Sequence, residues 1–113
     1  EELYDQKIKV KVITLDKLLE LYGTPDLIKI DVEGHEFKVL EGSKKLLEKD
    51  KPVLLIEINK DYSSDVKETF NYLKDLDYEV FYYNGNSLIK IFSYEENKRE
   101  DFKNFIFKQK ELC

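Results

Sequence analysis

The run Leu27-Ile28-Lys29-Ile30-Asp31-Val32-Glu33-Gly34-His35-Glu36-Phe37 carries the strongest constraint in the chain. A short apolar stretch meets a cluster of acids at a glycine, and a helical pattern follows. Strand side chains alternate between faces, so Leu27, Lys29 and Asp31 share one side and Ile28 and Ile30 the other. The isoleucine-rich run predicts a mostly buried strand. Asp31 then stands at the carboxyl end of that strand, and Gly34 lets the backbone turn into the next helix. In open α/β sheets, ligands bind outside this end of the strands.

The remaining chain continues the alternation of strand and helix. Residues 7–13 set lysines between Ile and Val, the pattern of a half-buried strand with one wet face near a sheet edge. Thr14 reads as an N-cap. Leu15, Leu18, Leu19 and Tyr22 form one face of a short helix, which Gly23 and Pro25 bring to a stop. After the strand at 27–31, a helix starts near Gly34 with Phe37 and Leu40 on its inner stripe and Val39 beside them. Gly42 interrupts it, and Ser43 can cap a second short helix carrying Leu46 and Leu47.

Lys51-Pro52 ends that element, and the apolar residues 53–58 predict a central parallel strand with Glu57 near its carboxyl end. Asp65 and Glu68 have capping-box spacing ahead of a helix marked by Val66, Phe70 and Leu73 and ending near Leu76. Residues 78–83 form an aromatic strand. Asn84-Gly85 is a turn signal, and 88–92 and 104–107 are further strands. The charged residues 94–103 read as a surface connection.

The order β-α-β-α-β-α-β, with antiparallel additions at the end, predicts an α/β fold with helices packed on a parallel sheet. A right-handed crossover sets strands 27–31 and 53–58 side by side. The 113 residues are enough for a single domain, 1–113. The net charge of −5, with scattered basic residues, argues against a nucleic-acid partner. No apolar run approaches the ~20 residues of a membrane span, and no signal pattern opens the chain. A cytoplasmic location and no membrane partner are therefore expected. The one cysteine, Cys113, allows neither an internal disulfide nor a thiolate zinc site.

The chemistry-bearing candidates are Asp31, Glu33, Glu57 and Lys29, with Glu36 and His35 beside them. If the two parallel strands pair, Asp31 and Glu57 end at the same rim, and Lys29 is a natural counter-ion for one of them. Acids in a first helical turn also serve the helix dipole, which gives Glu33 and Glu36 a structural alternative. His35, the single histidine, is read as a solvent-facing helix residue. The glycines Gly23, Gly34, Gly42 and Gly85 are too far apart for a glycine-rich nucleotide loop.

The string Lys29-Ile30-Asp31-Val32-Glu33-Gly34-His35-Glu36, with Val39-Leu40-Glu41-Gly42 after it, resembles the FkbM family of S-adenosylmethionine-dependent methyltransferases. The segments from Val12 to Asp16, from Pro52 to Glu57 and from Asn104 to Phe107 agree with it. The resemblance runs from about residue 8 to 110. It implies a partial Rossmann-like (class I methyltransferase) sheet: parallel strands with crossover helices and a C-terminal antiparallel addition. It also implies that the chain is the C-terminal half of the domain, since the family's glycine-rich loop and its acidic cofactor-binding residue have no counterpart here. Asp77 stands where the family pattern has a glycine, which predicts a strained turn.

The implied activity is S-adenosylmethionine-dependent O-methylation of a small-molecule hydroxyl acceptor. Asp31 would accept or orient the hydroxyl proton, Glu33 and Glu57 would assist, and the cofactor-binding residues stay unassigned. Two other readings remain open: a truncated α/β module kept for binding or assembly, and a metal-dependent hydrolase with Asp31, Glu33 and Glu57 as oxygen ligands. In either half-domain reading, strand 27–31 loses a sheet neighbour. Its edge is expected to be covered by the 7–13 strand, by a second copy in a homodimer, or by the missing N-terminal half.

Overall fold

The computed structural model describes residues 6–59, 66–92 and 104–110. Its strands are β1 (Leu27–Ile30), β2 (Val53–Glu57), β3 (Tyr78–Tyr83), β4 (Leu88–Ile91) and β5 (Asn104–Gln109). Its helices are α1 (Leu15–Tyr22), α2 (Glu36–Glu41), α3 (Lys44–Lys49) and α4 (Val66–Asp75). The strands form one sheet in the order β1-β2-β5-β3-β4.

β1 and β2 are parallel and adjacent, with Leu27 opposite Val53 and Ile30 opposite Ile56, as the crossover argument requires. The antiparallel part differs from expectation in position. β5 is inserted between β2 and β3 and runs antiparallel to both. β3 therefore points the same way as β1 and β2 without touching them. The fold is α/β with a mixed sheet, and among the described strands only the β1–β2 pair is a parallel ladder.

One face of the sheet holds the core. Ile30, Leu54, Ile56, Tyr78, Val80, Ile91, Phe105 and Phe107 are buried there under Leu40 of α2, Leu47 of α3, and Phe70 and Leu73 of α4. Phe70 meets Phe105 and Phe107 edge to face, with ring centres 5.4 and 5.6 Å apart, the arrangement that aromatic quadrupoles favour. Val66, Phe70 and Leu73 all turn inward, so the periodicity of α4 reads correctly. Its expected capping residue, Asp65, lies outside the described residues, as does the charged connection 94–103.

The other face is open. Its cross-strand row runs Lys29, Leu55, Ile106, Phe81, Lys90, and none of these is buried. This corrects the expectation that 53–58 is covered on both sides. The described helices that bury apolar residues lie on one face, so β2 alternates between buried and half-buried positions.

A second correction concerns residues 7–13. They belong to no strand, and Ile8, Val10 and Val12 are 84%, 76% and 91% exposed. Alternation supplies a suitable face, but a strand also needs a ladder partner. Within this chain the segment has none among the described residues, and it does not cover the β1 edge.

α1 forms as predicted. Thr14 Oγ1 accepts from the Lys17 N–H at 3.1 Å, and Gly23, at φ 91°, donates to the Leu19 carbonyl at 2.7 Å. Yet none of its residues is buried. α1 is held at its start instead. The Asp16 N–H donates to the Gly42 carbonyl at 2.9 Å, and the Asp16 carboxylate accepts from the backbone N–H groups of Lys45 and Leu46, each at 3.0 Å. A distant side chain thus caps α3. The expected cap, Ser43, makes no capping bond and donates its hydroxyl to the Val39 carbonyl at 2.6 Å. Gly42 packs closely on Thr14: a Cβ there would sit 3.3 Å from Thr14 Cβ and Cγ2, and Thr14 would have to shift by a few tenths of an ångström. Thr14, Asp16 and Gly42 therefore form one clamp.

Candidate functional site at the carboxyl end of β1

β1 stops at Ile30, and the chain leaves the sheet through Asp31 and Val32 into a tight turn. Glu33 (φ 43°) and Gly34 (φ 99°) are both left-handed there. Glycine takes that conformation freely, while for glutamate it costs about 1–2 kcal/mol. The Gly34 N–H donates to Glu36 Oε2 at 3.0 Å, and Glu36 is only 2% exposed. Glu36 is thereby a structural acid that ties the turn to the first residue of α2. His35 precedes α2, is exposed and makes no side-chain capping bond, in keeping with its reading as a solvent-facing residue.

The β1–β2 register brings the two candidate carboxylates level. Ile30 is opposite Ile56, so Asp31 follows the last paired rung beside Glu57, with no strand between them. Asp31, Glu33 and Lys29 are exposed, and Glu57 is half-buried. Among the described residues Lys29 makes no ion pair. The expected pairing assumed a lysine inside a buried strand, whereas the open face leaves the Lys29 side chain exposed.

Lys29 and Asp31 line a hollow of about 390 Å³ together with Leu15, Ile28, Val32 and Val39. It lies between α1, α2 and the free edge of β1. Glu33 and Glu57 are not part of its wall. A neighbouring groove of about 460 Å³ shares Leu15 and Val39 and carries Ile13, Leu18, His35 and Lys38. The two hollows adjoin at Leu15 and Val39, with charged side chains among their walls. Among the described residues, no three His, Cys, Asp or Glu side chains are placed to hold a metal ion. That corrects the hydrolase reading: Asp31, Glu33 and Glu57 do not form an oxygen cage.

The structural importance of Asp16 was not readable from local spacing. The contacts of Asp16 are 29 and 30 residues away. For Glu36 the usable signal was an acid two residues after a glycine turn.

A family model described as the methyltransferase FkbM domain matches residues 2–80. The match spans well over half of the chain and contains the whole strand–turn–helix unit just described. The chain belongs to the FkbM methyltransferase family. No match is found among curated proteins or among solved structures. The family match ends at residue 80, so the likeness at 104–107 lies beyond it. Among the described residues, no helix is long and apolar enough to cross a membrane.

The methyl donor implied by the FkbM family asks for a cradle of backbone N–H groups, and these residues do not form one. Gly34 is the one glycine at the strand end, and its N–H is already bound to Glu36. Gly23, Gly42 and Gly85 stand on separate turns. The rim offers carboxylates, a lysine and an apolar hollow.

Proposed function

We propose that this chain is the C-terminal half of an FkbM domain and supplies the acceptor side of an S-adenosylmethionine-dependent O-methyltransferase. The observation that carries the reading is the Asp31 rim. An exposed carboxylate stands just past the end of a parallel strand, lines a hollow of about 390 Å³, and lies level with Glu57 on the next strand. Carboxyl ends of parallel strands are where such sheets bind ligands.

In this reading Asp31 takes a hydrogen bond from the acceptor's hydroxyl and receives its proton, which raises the nucleophilicity of the oxygen. Lys29, on the same face, offsets negative charge on a bound acceptor. Glu57 and Glu33 hold further hydroxyls of a small, polar substrate. The left-handed turn at Glu33 and Gly34, locked by Glu36, fixes the direction in which the rim faces. The methyl group itself comes from the donor, whose contacts are assigned to no residue of this chain.

One observation favours a second reading, a non-catalytic binding or assembly module: the described residues contain no donor cradle. Titration calorimetry with S-adenosylmethionine, on a form carrying the whole domain, separates the two. Heat fitting micromolar binding supports the methyltransferase, and no heat at millimolar donor supports the module.

A further inference from the structure

Three polar side chains beyond β1 line up at the same end of the sheet as Asp31. β2 and β3 end at Glu57 and Tyr83, and β5, which runs antiparallel to both, begins between those ends at Asn104. Glu57 is directly opposite Asn104. Tyr82 is opposite Phe105, so Tyr83 stands beside Asn104 one rung further on. Side chains alternate along each strand. Ile56, Phe105 and Val80 are buried under the helices, which sends Glu57, Asn104 and Tyr83 to the open face. The cross-strand order at the rim is therefore Asp31, Glu57, Asn104, Tyr83.

We propose that this row is a carbohydrate subsite: the acceptor is a sugar chain whose reacting hydroxyl lies at Asp31 and whose next unit lies over Glu57, Asn104 and Tyr83. This substrate class rests on the acceptor reading of the Asp31 rim.

Hydrogen bonding is the first ground for a sugar. Among the described residues, neither the Glu57 carboxylate nor the Asn104 amide makes a side-chain hydrogen bond or ion pair, although Glu57 is half-buried. An ionised carboxylate only accepts, while an amide both donates and accepts. Directly opposite side chains on neighbouring strands stand about 4.5–5.5 Å apart at Cβ. Hydroxyls on adjacent ring carbons suit this mixture at this spacing. One donates to the acid, and its neighbour donates to or accepts from the amide. An apolar ligand would leave both groups without partners.

The Tyr83 ring is the second ground. It is 59% exposed, and its hydroxyl donates to the Gly85 carbonyl at 2.9 Å, which fixes the ring at the end of the row. Leu88, opposite it on β4, is 44% exposed. A pyranose carries hydroxyls around its edge and C–H groups on its faces. An aromatic plate beside an acid and an amide meets both kinds of surface.

Length and direction are the third ground. Strands lie about 4.8 Å apart, so the three steps from Asp31 to Tyr83 cover roughly 14 Å. That is longer than one pyranose ring and accommodates two linked units. The row also runs away from the free edge of β1. A strand added to that edge by the rest of an FkbM domain borders Asp31 and not the remainder of the row.

Amide chemical-shift mapping tests the subsite, on a form carrying the whole domain and with no methyl donor present. The probes are maltose, cellobiose and lactose, with glucose and galactose as their single units and cyclohexanol as a single-hydroxyl control. The expected result is a set of shifts centred on Glu57, Tyr83 and Asn104 with a disaccharide, weaker with its single unit and absent with cyclohexanol. Glu57→Gln and Asn104→Ala each weaken disaccharide binding about tenfold. Tyr83→Ala removes the advantage of the disaccharide over the single unit. All three side chains lie outside the buried core, so the variants keep the native amide dispersion. No shift with any of these sugars overturns the proposal, as does sugar binding that all three variants leave unchanged. Sugar shifts at these residues without methyl incorporation into any hydroxyl retain the subsite and end the methyl-transfer reading. Methylation of other hydroxyl compounds by a domain that no sugar perturbs does the reverse.

Discussion

Replacing Asp16 is the sharpest stability test of how the start of the chain is held. Its carboxylate accepts two backbone N–H groups at the start of α3, each at 3.0 Å, and its own N–H reaches the Gly42 carbonyl. A helix start leaves four such donors unpaired, and this one side chain satisfies two of them. Asp16→Ala removes both bonds and keeps the backbone contact. Loss of a capping side chain costs about 1 kcal/mol and up to about 2; a charged acceptor raises each bond toward 1.5–3 kcal/mol. Water can reach the half-exposed site and recover part of this, which places the expected loss near 2 kcal/mol. Asp16→Asn keeps one acceptor oxygen and is expected to lose about half as much. In urea unfolding the midpoint falls with the slope unchanged, and in a thermal scan Tm drops by about 10 °C for Ala. Hydrogen exchange at Lys45 and Leu46 rises in step. A loss under about 0.5 kcal/mol for Ala, or equal losses for Ala and Asn, would refute the capping role.

Other positions give separate checks. Tyr78, buried with its hydroxyl donating to the Pro52 carbonyl at 2.7 Å, has its pKa pushed up to about 12, chiefly by burial and despite an opposing hydrogen bond with Gln109. Below the unfolded value of about 10 this group's contribution is fully present. Between there and 12 only the unfolded state loses the proton, so stability falls as pH rises; alkaline unfolding curves of Tyr78→Phe should lose that slope while starting about 1 kcal/mol lower at neutral pH. Asp77, at φ 69°, holds a left-handed position, and Asp77→Gly is expected to stabilise by about 0.5–1 kcal/mol in the same urea assay. Gly85 is at φ 103° with open space around it, so Gly85→Ala should lose about 1 kcal/mol through backbone strain alone, read from the same denaturation curve. Substituting Glu36 by Gln keeps the shape but weakens the bond to the Gly34 N–H, and exchange of that amide should speed up.

The legible parts of this fold are those whose signals are local. Thr14 and Gly23 delimit α1 through bonds within a turn. Val66, Phe70 and Leu73 mark the buried side of α4. Asn84 reveals the β3–β4 turn, where its Oδ1 takes the N–H groups of Asn86 and Ser87. The β1–β2 pairing follows from crossover handedness. What could not be read depended on partners far along the chain. Nothing around Asn104 to Phe107 tells that β5 slots between β2 and β3. The 7–13 alternation is real, but alternation specifies a face, and a strand also needs a neighbouring edge. The apolar 53–58 run called for cover on both faces, and the described helices cover only one. At the site, strand pairing sets Asp31 just past the last β1–β2 rung, beside Glu57, and the motif reading stops there. It did not distinguish Glu36, which is used up in holding the turn, from Glu33, which is exposed.

The claim that Asp31 acts on an acceptor hydroxyl is tested most directly by methyl transfer. Labelled S-adenosylmethionine is incubated with a set of small hydroxyl compounds and either the native protein or Asp31→Asn, in a form carrying the whole domain. The account predicts incorporation with the native protein and a rate at least about 100-fold lower with Asn, the smallest loss expected on removing a general base. Near-equal rates, or no incorporation by the native protein into any hydroxyl, would contradict it.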